Sequence, residues 1–189
     1  MIHHENPISE IRKRTIGALL DGYKSLSVPQ LFKPLSANFT HRVLPSSLGM
    51  PPRDRESFAL HAQGIFSIFT QFRMVPEEMY EDPSRGVIII HARMEGRLKK
   101  GKPGAQVWTN ECVMMIRLSA DGTEVEEIIE FVDSAKCIDM RRLHAPSHFG
   151  GLVGAGEGGT YAAKAVLFSC VAVGTFFSVR RFMYWYDRD

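Results

Sequence analysis

Residues 106–132, QVWTNECVMMIRLSADGTEVEEIIEFV, decide the fold of this 189-residue chain. Two stretches with the two-residue period of a β-strand, residues 106–118 and 125–132, flank the dipeptide Asp121-Gly122. Asp-Gly between such stretches is a strong hairpin signal, because both residues tolerate the backbone conformation that tight hairpin turns require. The segment therefore predicts two antiparallel strands joined by a short turn.

More strand-forming sequence lies upstream of this hairpin. Residues 87–98 predict a long strand, and the glycines at 101 and 104 mark the turn that joins it to residues 106–118. Residues 72–80 predict the strand before it, across a turn at residues 82–86, and residues 38–44 predict the first strand. The chain thus predicts a run of antiparallel strands in its second half.

Three helices are predicted before this run of strands. Asn6-Pro7 is a good start for the first helix, whose apolar face extends to Tyr23, and a short second helix starts at residues 27–29 and ends near Leu35. Asp54 is predicted to cap the third helix. The apolar stripe along that helix comprises Phe58, Ala62, Ile65, Phe66, Phe69 and Phe72. Asp133-Ser134 predicts the start of a closing helix over residues 135–143. Helices that precede an antiparallel sheet favour the α+β class over a doubly wound sheet.

Composition excludes several classes of function. The 23 basic and 21 acidic residues give a net charge of +2, which offers no electrostatic basis for nucleic-acid binding. The three cysteines, Cys112, Cys137 and Cys170, form no CxxC pair and predict reduced thiols. No metal-ligand motif, glycine-rich phosphate loop or GxSxG sequence is present, so we expect neither a metal nor a cofactor. The first residues show no secretory signal, which predicts a cytoplasmic protein.

The C-terminal quarter of the chain has a different composition. Residues 145–160 contain six glycines and predict a linker after a domain of residues 6–144. Residues 161–189 are hydrophobic and aromatic, and the apolar part, 161–179, is about as long as a bilayer span. Three interpretations stay open: an anchor to an intracellular membrane, a gene-model artefact, and a helix packed on the domain.

Alternation along the long strands separates two faces of the sheet. Along residues 106–118 one face carries Asn110 within an otherwise apolar row, and an unpaired buried amide is costly. The other face is mixed. Apolar positions among charges on an exposed sheet face suggest a partner, and we expect a homodimer through this face. The residues assigned to that interface are Ile89, His91, Val113 and Met115.

Several segments resemble the fungal SnoaL-like proteins of the NTF2-like superfamily. They are residues 35–45 (LSANFTHRVLP), 107–111 (VWTNE), 121–122 (DG) and 130–135 (EFVDSA). The superfamily also includes ketosteroid isomerase, scytalone dehydratase and limonene epoxide hydrolase. The resemblance covers roughly residues 8–143 and implies a cone, in which a bent antiparallel sheet and three N-terminal helices enclose an apolar pocket.

Pockets of this kind place one or two ionisable groups in apolar surroundings, where a side chain can give and take protons. The resemblance implies Glu130 as the acid–base residue, and Glu130 shares its strand face with apolar neighbours. The alternative is a solvated carboxylate at the sheet edge. His41 and Arg42 are adjacent on a strand, so only one can face inward. His41 would share a proton with Glu130, whereas Arg42 would hold Glu130 ionised.

The remaining site residues are expected to hold and surround the substrate. Asn110 would donate to a substrate oxygen, and its alternative role is a hydrogen bond to a neighbouring loop. The pocket walls are assigned to Trp108, Phe66, Phe69, Met114 and His61, and core packing is the alternative for the aromatic stripe and for His61. The resemblance implies a cofactor-independent isomerase, dehydratase or cyclase that acts on a polyketide-, terpenoid- or alkaloid-type metabolite. A non-catalytic binding or dimerisation module is the alternative.

Overall fold

The computed structural model describes residues 7–99 and 107–144. The helices described are α1 (Pro7–Lys24), α2 (Val28–Leu31), α3 (Arg55–Ile68) and α4 (Ser134–His144), with a short 3₁₀ turn at Ser46–Leu48. The strands described are β1 (Leu35–Leu44), β2 (Arg53–Asp54), β3 (Phe69–Asp82), β4 (Val87–Leu98), β5 (Val107–Leu118) and β6 (Val125–Val132). The chain is therefore an α+β protein, as predicted.

The described strands form one curved sheet with the order β2-β1-β6-β5-β4-β3. Neighbouring strands are antiparallel except β1 and β6, which run parallel, so the prediction of a wholly antiparallel sheet was wrong. The physical reason is that β1 and β6 are far apart in the chain, so no hairpin turn between them imposes an antiparallel pairing. One edge of β1 pairs with the short strand β2 and the other with β6, which brings the first and last strands of the domain side by side.

The boundary between α3 and β3 also differs from the prediction. The aromatic stripe predicted a helix through Phe72, whereas α3 ends at Ile68 and both Phe69 and Phe72 belong to β3. The rings are buried in either conformation, so their spacing does not fix the end of the helix. The extended backbone lets β3 pair with β4, where the Phe69 ring occupies the space that a side chain at Gly96 would fill.

Alternation correctly predicted the inner faces of the central strands. Along β4 and β5 every second residue is buried, including Ile90 and Met114, and these side chains belong to the hydrophobic core. The predicted cap of α3 is also present, since the carboxylate of Asp54 accepts from Ser57 N at 2.9 Å. The sheet therefore offers one apolar face to the helices and one mixed face to solvent.

Several predictions concern residues outside the described part of the chain. These are the helix start at Asn6, the turn at residues 101–104, the linker at 145–160 and the hydrophobic segment at 161–189. Among the helices in the described ranges, none combines the length and apolarity needed to cross a bilayer. The interpretations of the C-terminal segment stay predictions.

Candidate active site

The parallel pairing of β1 with β6 brings two predicted site residues together. His41 lies beside Ile128 and Val43 beside Glu130 in the strand register. The His41 Nε2 atom lies 3.4 Å from the Glu130 Oε2 atom, and the two side chains are 1% and 15% exposed. We call this contact the His41–Glu130 pair. It places an imidazole and a carboxylate in contact inside the hydrophobic core.

Helix α3 covers the pair from the other side. The Phe58 ring centroid lies 4.7 Å from that of His41, and the His61 ring stacks on His41 at 6.1 Å. Burial, followed by the positive charges of Arg53 and His41, lowers the pKa of His61 from 6.5 to about 3. His61 is therefore a neutral imidazole at physiological pH. This state is compatible with both predicted roles, the wall of a pocket and a histidine packed in the core.

The lowered pKa of His61 predicts how stability depends on pH. The unfolded chain binds a proton at His61 below pH 6.5, and the folded chain does so only near pH 3. Stability therefore falls as pH drops, and we expect a loss of about 2 kcal/mol between pH 7 and pH 5. Urea unfolding at the two pH values measures this loss. His61→Gln should remove most of it, whereas His91→Gln, on the outer sheet face, should retain it; an unchanged loss in His61→Gln would contradict the assignment.

Arg53 is a site residue that the sequence analysis missed. It lies on the two-residue strand β2, directly opposite His41 in the β1–β2 register, and directly opposite residues point to the same face of a sheet. Its Nη1 atom is buried and has no hydrogen-bond partner among the described residues. Burial lowers the pKa of Arg53, and the negative charge of Glu130 opposes that effect. A strand of two residues after Pro51-Pro52 leaves no periodic signal in the sequence.

Three further ionisable groups lie within the electrostatic reach of Glu130. Burial, then the charge of Glu130, raises the pKa of Tyr23 well above 10 and raises the pKa of Cys137 to about 11. The pKa of the buried Cys112 thiol is raised by the same two causes. Both thiols are therefore protonated and unreactive at neutral pH. The Tyr23 hydroxyl is also protonated, and it is a neutral hydrogen-bond donor that the sequence analysis did not identify.

Arg42 lies outside this group of residues. Its side chain is 47% exposed, and its guanidinium contacts Glu127 at 3.4 Å. Because His41 faces inward, the adjacent Arg42 must face outward. The alternative in which Arg42 pairs with Glu130 is therefore wrong.

Asn110 is buried, but its amide contacts the backbone. Its Oδ1 accepts from Glu111 N at 2.8 Å, and its Nδ2 lies 3.5 Å from the carbonyl oxygen of Asp133. These contacts match the alternative role for Asn110, a hydrogen bond to a neighbouring loop. They tie β5 to the start of α4, where the Asp133 carboxylate accepts from Ala135 N at 3.0 Å.

The predicted wall residues fall into two groups. Met114 is fully buried and lies opposite Glu130 in the β5–β6 register. Trp108 lies on the same face of β5 as Met114, is half-buried, and packs against Phe69 at a ring distance of 5.5 Å. Phe66 instead lines a surface groove of about 580 Å³ that also includes Leu60.

Two surface grooves lie near α2, apart from the His41–Glu130 pair. The groove of about 580 Å³ runs between α2 and α3, and the other, of about 620 Å³, includes Phe32 and Arg55. Neither is lined by His41 or Glu130. The lining of both grooves lacks an imidazole–carboxylate pair, so the buried pair is the candidate site. A curved α+β sheet with an imidazole–carboxylate pair on its inner face is the arrangement that the resemblance to the NTF2-like superfamily implied.

Comparison with curated proteins gives relatives from fungi. The chain is 30% identical over 118 residues to the austinoid biosynthesis cluster protein H of Aspergillus calidoustus. The matched region covers 60% of this chain and 76% of that protein. It is 27% identical over 130 residues to a protein of Claviceps purpurea named a monooxygenase, covering 69% of this chain and 80% of that protein. No family model matches the chain.

Comparison with solved structures identifies proteins that share the fold of this chain. The BvnE pinacolase of Penicillium brevicompactum superimposes with a TM-score of 0.65 at 15% identity, covering 71% of this chain and 94% of that chain. A SnoaL-like polyketide cyclase of a Jannaschia species gives 0.57 at 16% identity, covering 76% and 99%. The chain belongs to the fungal SnoaL-like proteins of the NTF2-like superfamily, together with the austinoid cluster protein H.

Proposed function

We propose that this protein is a cofactor-independent isomerase, dehydratase or cyclase that acts on a polyketide-, terpenoid- or alkaloid-type metabolite. The observation that carries the proposal is the His41–Glu130 pair, which lies among apolar side chains on the inner face of the sheet. The relatives from named biosynthetic clusters support the substrate class.

The burial of the pair supports a role in chemistry. A partly buried carboxylate beside an imidazole at 3.4 Å costs desolvation energy, and apolar residues of similar volume would stabilise a core at least as well. Use of its protons in a reaction would account for the presence of the pair at this position. The long contact is compatible with this use, because catalytic hydrogen bonds often shorten only when the substrate is bound.

The pair can move a proton between substrate atoms in two steps. Glu130 removes a proton from carbon or oxygen and then returns the same proton to another substrate atom, while His41 holds the carboxylate in place through its Nε2 atom. Phe58 packs against His41 and Met114 lies beside Glu130, and these apolar neighbours strengthen electrostatic contacts inside the site. In this proposal Asn110 is a positioning residue that holds the junction of β5 and α4.

The names of several relatives favour a second candidate, oxygen insertion. Three curated relatives between 24% and 28% identical to this chain are named monooxygenases. Isomerisation, cyclisation and dehydration need no oxidant and can be driven by acid–base catalysis, whereas a monooxygenase adds an oxygen atom to its substrate. The composition of the product therefore separates the two candidates.

One experiment tests the proposed function. The gene is deleted in its own organism, the metabolite that accumulates is isolated, and the purified full-length protein is added without any cofactor. We expect a product that has the mass of the precursor or has lost one water. A gain of one oxygen atom would support the second candidate, and binding without conversion would support the alternative of a binding module; either result would contradict the proposal.

We further propose that the protein is a homodimer through the outer sheet face. Adjacent strands align Tyr80, Ile89, Met115 and Ile129 in one row across this face. Tyr80 is 59% and Ile89 36% exposed in the single chain. Ion pairs flank the row, including a 2.6 Å contact between His91 Nε2 and Glu111 Oε1. Water solvates these charged flanks well and the apolar row poorly. A two-fold pairing would bury the row against its own copy.

Met115→Glu is expected to convert this dimer into a monomer. A carboxylate placed in the middle of an apolar row would be buried without a partner in the dimer and solvated in the monomer. Sedimentation equilibrium measures the change, and the chain truncated after His144 should remain dimeric. A monomeric wild-type protein would contradict the interface.

A further inference from the structure

Two nitrogen atoms at the candidate site are buried and have no hydrogen-bond partner among the described residues. They are Nη1 of Arg53 and Nδ1 of His41. The residues lie directly opposite each other on β2 and β1, and the field of each acts on the same neighbour, His61. The two nitrogens therefore belong to one region of the site rather than to separate parts of the core.

The Arg53 guanidinium does not belong to an ion pair among the described residues. The described residues provide no carboxylate within 4.0 Å of it, although the charge of Glu130 acts on Arg53 over a longer distance. Arg12 differs in this respect, because its guanidinium contacts Glu81 at 2.8 Å, although its Nε atom is also buried without a partner among the described residues. A buried donor without an acceptor costs stability, and an oxygen acceptor from water or from a bound ligand would satisfy it.

His41 complements Arg53 in its hydrogen-bonding capacity. Its Nε2 faces the Glu130 carboxylate, which is an acceptor, and in the tautomer that donates from Nε2 the other ring nitrogen, Nδ1, has a lone pair. Arg53 can only donate. An oxygen atom that accepts from Arg53 and donates its own hydrogen to His41 satisfies both groups, and both a substrate hydroxyl and a water molecule have this capacity.

We propose that Arg53 and His41 together bind one ionisable substrate oxygen, that of an enol or a phenol. The inference rests on the proposed function and specifies its substrate class. When the hydroxyl proton moves to His41 Nδ1, the oxygen becomes an anion beside the Arg53 cation, and the imidazolium that forms is held by Glu130. No charge is left unbalanced: two anions, the oxygen and Glu130, face two cations, Arg53 and His41.

The first test measures the stability of Arg53→Met without any ligand. Methionine is of similar length and has no donor, so its substitution removes the unpaired nitrogen. We expect the Tm to rise by about 3 °C, as at other sites where function is retained at a cost in stability. Arg42→Met is the matched control, because it makes the same change on the outward face of the adjacent strand, and its Tm should stay within about 1 °C of wild type. A lower Tm for Arg53→Met would indicate a structural arginine and overturn the inference.

The second test uses para-nitrophenol, which is yellow only as the phenolate. At a pH about one unit below the probe's own pKa, binding to excess wild-type protein should increase the ratio of phenolate to phenol about tenfold. Arg53→Met should abolish this increase, Arg53→Lys should keep part of it, and Arg42→Met should keep all of it. para-Nitroanisole, which has no hydroxyl hydrogen, should bind wild type and Arg53→Met equally and serves as the control for shape.

The outcomes distinguish this inference from the proposed function. If wild-type protein gives no phenolate signal while Glu130→Gln loses turnover, the oxygen site is wrong and the proposed function stands. If the signal depends on Arg53 while the accumulated metabolite is never converted, the oxygen site stands and the proposed catalysis is wrong. A signal of equal size in wild type and Arg53→Met would also overturn the inference.

Discussion

Glu130→Gln is expected to abolish turnover of the accumulated metabolite while the protein stays folded. Glutamine has the size and shape of glutamate, but its amide cannot take a proton from the substrate. General acid–base catalysis contributes about 10²–10⁴-fold to a rate, and kcat/KM should fall by that factor. Steady-state kinetics measures the loss, and thermal unfolding of the variant verifies the fold.

Glu127→Gln is the matched control for this variant. Glu127 lies on the same strand, β6, and its carboxylate contacts Arg42 and Arg117 at the sheet surface, away from His41. Surface ion pairs of this kind contribute little to stability, so both turnover and stability should stay close to wild type. Wild-type kcat/KM in Glu130→Gln would remove Glu130 from the mechanism.

Gly22→Ala is expected to destabilise the domain by about 3 kcal/mol. An added Cβ at Gly22 would lie 2.6 Å from the Cα atom of Leu31, so α1 and α2 could not keep their present contact. The obstacle is backbone, and Leu31 is fully buried, so no side-chain rotation relieves the clash. The shift would also displace Tyr23, the next residue, from the neighbourhood of Glu130.

Gly17→Ala tests the same substitution in the same helix without the clash. A Cβ at Gly17 meets no atom within 4 Å, and alanine favours the helix over glycine. We therefore expect Gly17→Ala to stabilise the domain by about 0.5–1 kcal/mol. Urea unfolding of both variants measures the difference in sign. Equal effects of the two substitutions would show that the α1–α2 contact does not depend on Gly22.

The sequence predicted those features that depend on neighbouring residues in the chain. Alternation assigned the inner and outer faces of β4 and β5, and Asp121-Gly122 marked the hairpin before β6. The cap at Asp54 was also predicted from its position before the aromatic stripe. In each case a local preference of the backbone or a two-residue period carries the information.

Features that depend on pairing between distant strands were not predictable in the same way. The choice between His41 and Arg42 stayed open, because each has an apolar neighbour on its own face of β1. The parallel pairing with β6 decides it, since it sets His41 beside Ile128 on the buried side. Arg53 was missed because its strand consists of two residues and owes its existence to β1.

The central claim is that His41 and Glu130 act as one acid–base unit, and a double-mutant cycle tests it most directly. The measurement is kcat/KM of His41→Gln, Glu130→Gln and the double variant on the isolated metabolite. Residues that act as a unit are strongly non-additive, so the double variant should be about as slow as the slower single variant. If the two losses multiply instead, the residues act independently and the account of a coupled pair is contradicted.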